Sequence, residues 1–438
     1  GEVAPCMPLQ LFRRAAGARR PKPHDICRRL AEDLCQLATQ DGDAQPAAVA
    51  EAPPTACPHS ADHREQLQRT VSEDIQKQLH VVLEILEEVL EQADRACHNG
   101  ADHQHETADD LLNQFFVGDL PTVLVSHLTE LEFEVRKDVI SIFSVIVRLG
   151  SQPWADQKIR EYARRQPKLF ELLIKGYAKA EVATQCGIML RSCARQQHLV
   201  EAFLADPGVV LHLMSFARHE SFDISSDAFS SLHDFLLTHK MVSSVFLEKN
   251  FRQFFPQYNN LLVSDVYVTQ RQALKLLSEI LLDRTFMRVM LAYIGDENFL
   301  QIHMNLLRAD SKAIQFEAFH VFKIFVANPQ KPPRVQQILH KNKDKLVKLL
   351  GALCPNRLDD KQFDKDKTTV IGKLRVLEPP PRAGGHGAAP PDPGDSQSRA
   401  DASRGQPAEP PAPSAAPAAG TATDTAADER CVDGTDQG

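Results

Sequence analysis

Along most of this chain apolar residues recur at intervals of three and four, the period of a helix rather than of a strand. The pattern is cleanest between Val268 and Asn328, which reads as helix, turn, helix, turn, helix. Leu274, Leu277 and Leu281 form an apolar stripe that Ile280 widens. Arg271 and Lys275 lie four apart on a different face of the same helix, so two cations stand one turn above the other. The last helix of the stretch begins after Asp310 and Ser311, both of N-cap type, and stops at Asn328-Pro329.

The same register returns elsewhere. An apolar residue is followed by a polar residue at plus three, a small or apolar one at plus four, and two further positions at plus seven and plus eight. Val135, Asp138, Val139, Ile142 and Phe143 fit it, as do Val182, Gln185, Cys186, Met189 and Leu190. Ile224, Asp227, Ala228, Ser231 and Leu232 follow, then Val268, Arg271, Gln272, Lys275 and Leu276, and finally Ile314, Glu317, Ala318, Val321 and Phe322. The first members are separated by 47, 42, 44 and 46 residues, within the roughly 40–47 expected of HEAT and armadillo repeats. A second helix precedes several of them, at Leu169–Leu173, Val209–Met214 and Phe299–Met304. Each unit is therefore expected to be a helical hairpin that buries its apolar face only by stacking on neighbours. The competing reading is a non-repetitive helical domain whose five similar helices coincide by chance. The expected fold class is all-α, an armadillo/HEAT-like helical-repeat solenoid forming a curved rod.

Flanking elements follow from the same patterning. Ile26, Leu30, Leu34 and Leu37 predict a first helix with Asp25 as its N-cap, and residues 41–62, rich in Ala, Pro and Asp, read as a linker or insert. Val71, Ile75, Leu79, Val82, Leu83, Leu86 and Leu90 predict a long amphipathic helix over 65–95. Asp206-Pro207 is an N-cap followed by Pro at the first helical position, and Trp154, the chain's one tryptophan, is expected over a helix end. Leu346, Leu349, Leu350 and Leu353 mark a last repeat helix, and 359–377 a charged helix that caps the stack. Three segments result: a basic, irregular start at 1–22, a helical-repeat domain at 23–378, and a Pro/Ala-rich acidic tail at 379–438 with no periodicity, expected to be disordered.

Composition narrows the function. With 438 residues and 43% hydrophobic content the chain can bury a long solenoid core. Its net charge of −8 is uneven: +4 over 1–22 and −5 over 379–438 leave −7 in the middle, which argues against nucleic acid as the main ligand. Nine cysteines show no CxxC pairing, and Cys186 and Cys193 read as small core residues of one helix, so a reducing, cytoplasmic setting is expected. No run of eighteen apolar residues predicts a membrane span, and the start of the chain shows no apolar segment of signal-peptide type. His98, His103 and His105 lie among acids in a segment, 94–108, that reads as a polar loop; a metal site there is the sharper alternative, but no second ligand cluster accompanies it. There is no P-loop, kinase glycine loop, nucleophile elbow or HExxH. No cofactor is expected.

The strings CGIMLR (186–191), SFDISSDAF (221–229), FLEKNFRQFF (246–255), YVTQRQALKLLSEILLDR (267–284), MNLLR (304–308) and IQFEAFHVFKIFVANP (314–329) resemble the calcium-binding-protein-39 family, also called the mouse-protein-25 scaffolds. The resemblance runs from about Pro23 to Leu377 and leaves out the basic start, the 41–62 insert and the acidic tail. It implies a non-catalytic, armadillo-like scaffold that holds the sterile-20-related pseudokinase in an active-like state, activates liver kinase B with it, and binds sterile-20-group kinases directly. It also implies a pocket near the C-terminal end for a Trp-Glu-Phe motif and a concave face for the kinase-like domain. Residue by residue, Arg271 corresponds to a partner-binding arginine, Met304 to a methionine of the motif pocket, Lys341 to a pocket lysine near the motif's carboxylates, and Arg284 to an arginine of the kinase-facing surface. Three residues after that arginine the family has Phe, whereas this chain has Met287 preceded by Phe286. The family name carries no calcium expectation, because no EF-hand loop is present.

Physics gives these residues a shared logic. A short acidic and aromatic peptide needs an apolar recess for its rings and cations for its carboxylates. Met304 suits the first need; Arg271 and Lys275, with Lys341, suit the second. A scaffold that binds the closed kinase fold better than the open one activates it by that difference. Two other classes remain open on sequence: a helical-repeat adaptor for other cargo or the cytoskeleton, and a metal hydrolase built on the three histidines.

Overall fold

The computed structural model describes residues 21–42, 59–99, 106–353 and 361–380, and among them every regular element is helical. Two helices open the chain, α1 (Pro23–Gly42) and α2 (His59–Asn99). The expected stripes drive both: Ile26, Leu30, Leu34 and Leu37 are buried on α1, and Val71, Ile75, Leu79, Val82, Leu86 and Leu90 on α2. Asp25 proves to lie inside the first turn of α1 rather than at its N-cap. Of the insert read at 41–62, the two ends are helical and 43–58 lies outside the described residues. The loop read at 94–108 also shrinks, because α2 continues through Asn99 and the next helix begins at Glu106. His98 therefore belongs to α2, while His103 and His105 lie outside the described residues.

The repeats contain three helices each, not two. They are α3 (Glu106–Val117), α4 (Leu120–Ser126) and α5 (Phe133–Leu149); α6 (Pro153–Arg165), α7 (Lys168–Lys175) and α8 (Ala183–Cys193); α9 (Gln197–Leu204), α10 (Pro207–Phe216) and α11 (Phe222–Leu237). Next come α12 (Lys240–Lys249), α13 (Phe251–Leu262) and α14 (Tyr267–Leu282), then α15 (Met287–Tyr293), α16 (Glu297–Leu306) and α17 (Lys312–Ala327). The hairpin expectation missed the first helix of each unit. That helix is short, as in the seven-residue α15, or largely polar, as in α6 with its PWADQKIREYARR. The armadillo form of the solenoid is thus the one adopted.

Stacking follows the helix order within a unit. Third helices form one continuous layer, α2 against α5, then α8, α11, α14, α17 and α19 (Lys361–Arg375). First helices run α3, α6, α9, α12, α15, and second helices run α4, α7, α10, α13. At the far end α16 packs against α18 (Pro333–Gly351), and α19 closes the stack over α17 and α18, as the capping expectation required. Lys323 on α17 pins α19 through Asp366 at 2.6 Å.

The register explains the third-helix layer, with one correction. Val135, Ile224 and Ile314 are each the third residue of their helix and each is buried. In α14 that place belongs to Thr269, not Val268. Shifted by one, the unit becomes Thr269, Gln272, Ala273, Leu276 and Leu277; all but the plus-three Gln272 are buried, whereas Lys275 is exposed. The first members are then 135, 182, 224, 269 and 314, with spacings of 47, 42, 45 and 45 residues. Thr269 hid the register because a hydroxyl does not read as a core position.

Buried polar links cross the repeat boundaries where apolar packing alone would let helices slide. Tyr162 on α6 donates to Asp119 at 2.6 Å and lies 2.7 Å from the Thr122 hydroxyl, both at the start of α4. Tyr177 donates to Asp227 Oδ2 at 2.8 Å, while Arg191 of α8 donates to Oδ1 at 2.6 Å. Gly187 leaves room for that carboxylate, since a Cβ there would overlap it. Cys186 and Cys193 are buried free thiols of α8, as read, and burial pushes Cys186 up to about 12.

Candidate binding groove between α16 and α18

The last full unit leaves one side of α16 uncovered, and α18 lies beside it. Asp296 caps α16 through the backbone amides of Asn298 (2.7 Å) and Phe299 (3.2 Å). Phe299, Leu300, His303 and Leu306 turn inward, so the opposite face faces α18. Two recesses share this seam. One, of about 470 Å³, is lined by the apolar Met304, Leu346, Leu349 and Ala352 with Arg308, Lys345 and Lys348 at its edge. The other, of about 520 Å³, is polar and includes Met304, Arg308, Arg334, Lys341 and Asn342.

Met304, Arg308 and Asn342 belong to both, so the two recesses are halves of one groove. Met304 sits half-buried at the junction, and Lys341 is exposed on the wall opposite. Among the lining residues there are five cations and no carboxylate. Arg334 is paired with Glu297 at 3.5 Å, but Lys341, Lys345 and Lys348 make no ion pair within the described residues. An aromatic ring fits the apolar half and a carboxylate the cationic half.

The other expected site residues lie elsewhere. Arg271 and Lys275 are exposed on α14 and do not line the groove. Lys275 instead borders a recess between α11 and α14 of about 290 Å³, with Phe229, His233 and Glu279. There Lys275 reaches Glu279 at 3.9 Å, and His233 bridges Asp234 (3.2 Å) and Glu279 (3.5 Å), which raise its pKa, the Asp234 hydrogen bond foremost. Arg271 makes no ion pair among the described residues. Joining Arg271 and Lys275 to Lys341 as the charged side of one pocket is therefore corrected: helical spacing placed the first two together, but nothing in it could place α14 relative to α18.

Arg284 is exposed at the start of a single 3₁₀ turn, Arg284–Phe286, that follows α14. Asp283 shapes this turn, accepting from the Thr285 amide at 2.8 Å and from Lys240 of α12 at 2.7 Å. The Lys240 bond, helped by Thr285, lowers the Asp283 carboxyl to about 2. Phe286 is fully buried, so Met287 is the side chain presented outward beside Arg284. An apolar group thus remains where the family resemblance placed Phe.

One feature escaped the sequence reading. Phe133, Phe222 and Tyr267 are the first residues of α5, α11 and α14, and they are 58%, 60% and 46% exposed. In the corrected register each stands two places before the first buried member, a periodicity that the one-residue slip at α14 concealed. Together with Arg271 they give the third-helix layer an aromatic and cationic edge.

Among the described residues no group of three or more His, Cys, Asp or Glu is placed to hold a metal ion, and no single helix is long and apolar enough to cross a membrane. A family model described as Mo25-like matches residues 11–378. The chain is 38% identical over 307 residues to the human calcium-binding protein 39-like protein, covering 70% of this chain and 88% of that one. It is 42% identical over 275 residues to a Mo25-like protein of Schizosaccharomyces pombe, covering 62% and 82% respectively. The degreening-related dee76 protein of Auxenochlorella protothecoides is 38% identical over 317 residues, covering 72% and 94%.

Proposed function

Because this chain belongs to the Mo25-like family, a family of non-catalytic helical-repeat scaffolds, we propose that it binds and activates protein kinases or pseudokinases of the sterile-20 group, within a complex that includes a liver kinase B-like kinase. It would do so in the cytoplasm. The groove between α16 and α18 receives the partner's Trp-Glu-Phe motif, and the third-helix layer with Arg271, Lys275, Phe222 and Tyr267 meets the kinase-like domain. Arg284 and Met287 provide the adjoining kinase contact.

The observation that carries this reading is the sharing of one groove by Met304 and Lys341, with an apolar half beside a cationic half that lacks any lining carboxylate. A buried aromatic side chain removes about 150–250 Å² from water. At roughly 25 cal/mol per Å² that is about 4–6 kcal/mol before ordering costs, enough for a peptide anchor once the carboxylates are paired. The layer's contribution is conformational. If it binds the closed kinase fold tenfold more tightly than the open one, it shifts that equilibrium by about 1.4 kcal/mol.

Titration calorimetry with a peptide ending in Trp-Glu-Phe tests the groove. Met304→Ala and Lys341→Ala are each expected to weaken binding about tenfold while leaving the helical circular dichroism unchanged. Unaltered affinity in both variants contradicts the assignment. Arg271→Ala should leave this peptide's affinity intact and weaken only the binding of the kinase-like domain.

A further inference from the structure

The exposed edge of the first-helix ladder changes character partway along. Each of α6, α9, α12 and α15 turns an i, i+4 pair to solvent. On α6 the pair is Gln157 and Glu161, and on α9 it is Gln197 and Glu201; within each pair the amide donates to the carboxylate, at 2.8 and 2.9 Å. On α12 the pair is Met241 and Val245, and on α15 it is Met287 and Leu291, each between 46% and 71% exposed. Positions that are polar on two helices are thus apolar on the next two. The step from 241 to 287 is 46 residues, and so is the step from 245 to 291.

The two apolar pairs form one patch. Glu248 continues the Met241–Val245 face at i+3, and Arg288 lies three residues before Leu291 on the face of α15. Their ion pair at 3.1 Å joins the two faces. A second pair, Lys240 with Asp283 at 2.7 Å, fastens α12 to the turn before α15. Lys249, four residues after Val245, and Arg284, three before Met287, are exposed and make no ion pair among the described residues. Around the patch Lys240, Lys249, Arg284 and Arg288 face Asp283 and Glu248, four cations against two carboxylates, a surplus of two positive charges. An apolar patch inside a polar rim marks a contact surface, and the rim selects the occupant. In a symmetric dimer the surplus cations would face their own counterparts. Four side chains also fall short of the roughly 800 Å² that each partner of a stable dimer buries. A helix whose apolar i, i+4 stripe runs between acidic residues suits both the patch and its rim.

We propose that the α12–α15 edge docks an acidic amphipathic helix of a partner protein. Met241, Val245, Met287 and Leu291 form its apolar floor, and Lys249 and Arg284 pair with the helix's carboxylates. The surface is separate from the groove between α16 and α18. It shares Arg284 and Met287 with the proposed kinase contact but does not depend on the Trp-Glu-Phe reading.

The probe is a fluorescein-labelled helical peptide, about four turns long, with leucines at i, i+4 spacing and glutamates on both flanks; a second peptide carries lysine at every glutamate. Both are titrated with the full chain and followed by fluorescence anisotropy. Val245→Gln/Leu291→Gln gives α12 and α15 the polarity of α6 and α9, and because both side chains are exposed its melting temperature is expected to match the wild type. The expected result is saturable binding of the glutamate peptide that weakens about tenfold in the double variant and in Lys249→Glu, with the lysine peptide bound at least about tenfold more weakly. Absence of saturable binding at about 100 μM chain, equal binding of the two peptides, or an unchanged affinity in the double variant overturns the proposal. So does self-association in sedimentation equilibrium that the double variant abolishes, which assigns the patch to a second copy. Co-sedimentation with phosphatidylserine vesicles that the double variant abolishes assigns it to a lipid surface instead. These variants leave Met304 and Lys341 intact, so titration with the Trp-Glu-Phe peptide decides the groove reading separately.

Discussion

Gly187 shows what a single residue decides here. Its missing side chain is the space that the Asp227 carboxylate occupies while it holds Tyr177 and Arg191 across a repeat boundary. Gly187→Ala pushes that carboxylate off its partners, and urea unfolding is expected to show a loss of about 1–3 kcal/mol. His303 makes a second prediction at this scale. Burial lowers its pKa to about 3 in the folded chain, against about 6.5 when unfolded. The unfolded state therefore binds the proton more readily, so the full stability is present above about pH 6.5 and is lost as pH falls toward 3. Between pH 7.5 and pH 5 the wild type is expected to lose about 2 kcal/mol more than His303→Leu does. Parallel pH profiles of the two proteins would contradict the assignment of that loss to His303.

At the scale of elements, the third-helix layer was readable because its burial is apolar and periodic. Leu274, Leu277 and Leu281 are buried as the stripe required, and Leu277→Ala is expected to cost about 2–5 kcal/mol in chemical unfolding. The failures have equally physical sources. Thr269 is buried, but its hydroxyl removed it from the apolar count, and the register at α14 slipped by one. The first helices of the repeats were missed because seven residues, as in α15, span barely two turns and give too little periodicity to recognise. Asp25 as N-cap failed by a few residues, the usual scale of uncertainty at a helix end.

Across the whole molecule, family membership and the stacking of repeats agree on a scaffold, and the site residues divide by ladder. Met304 and Lys341 meet between α16 and α18; Arg271 and Lys275 share the exposed side of α14; Arg284 and Met287 flank the turn after it. Helical spacing placed Arg271 beside Lys275, but only the superposition of repeats could assign the expected site residues to separate surfaces. On the proposed function, separate surfaces would let one chain hold a partner's C-terminal motif and its folded domain together, the second contact gaining from the effective concentration created by the first. The measurement that bears most directly on this is the phosphotransfer rate of a purified sterile-20-type kinase titrated with the full chain. The expected result is a saturable rise in rate that Arg271→Ala reduces and that Met304→Ala shifts to higher scaffold concentration. No binding at micromolar protein and a flat rate throughout the titration would contradict the scaffold-activator function.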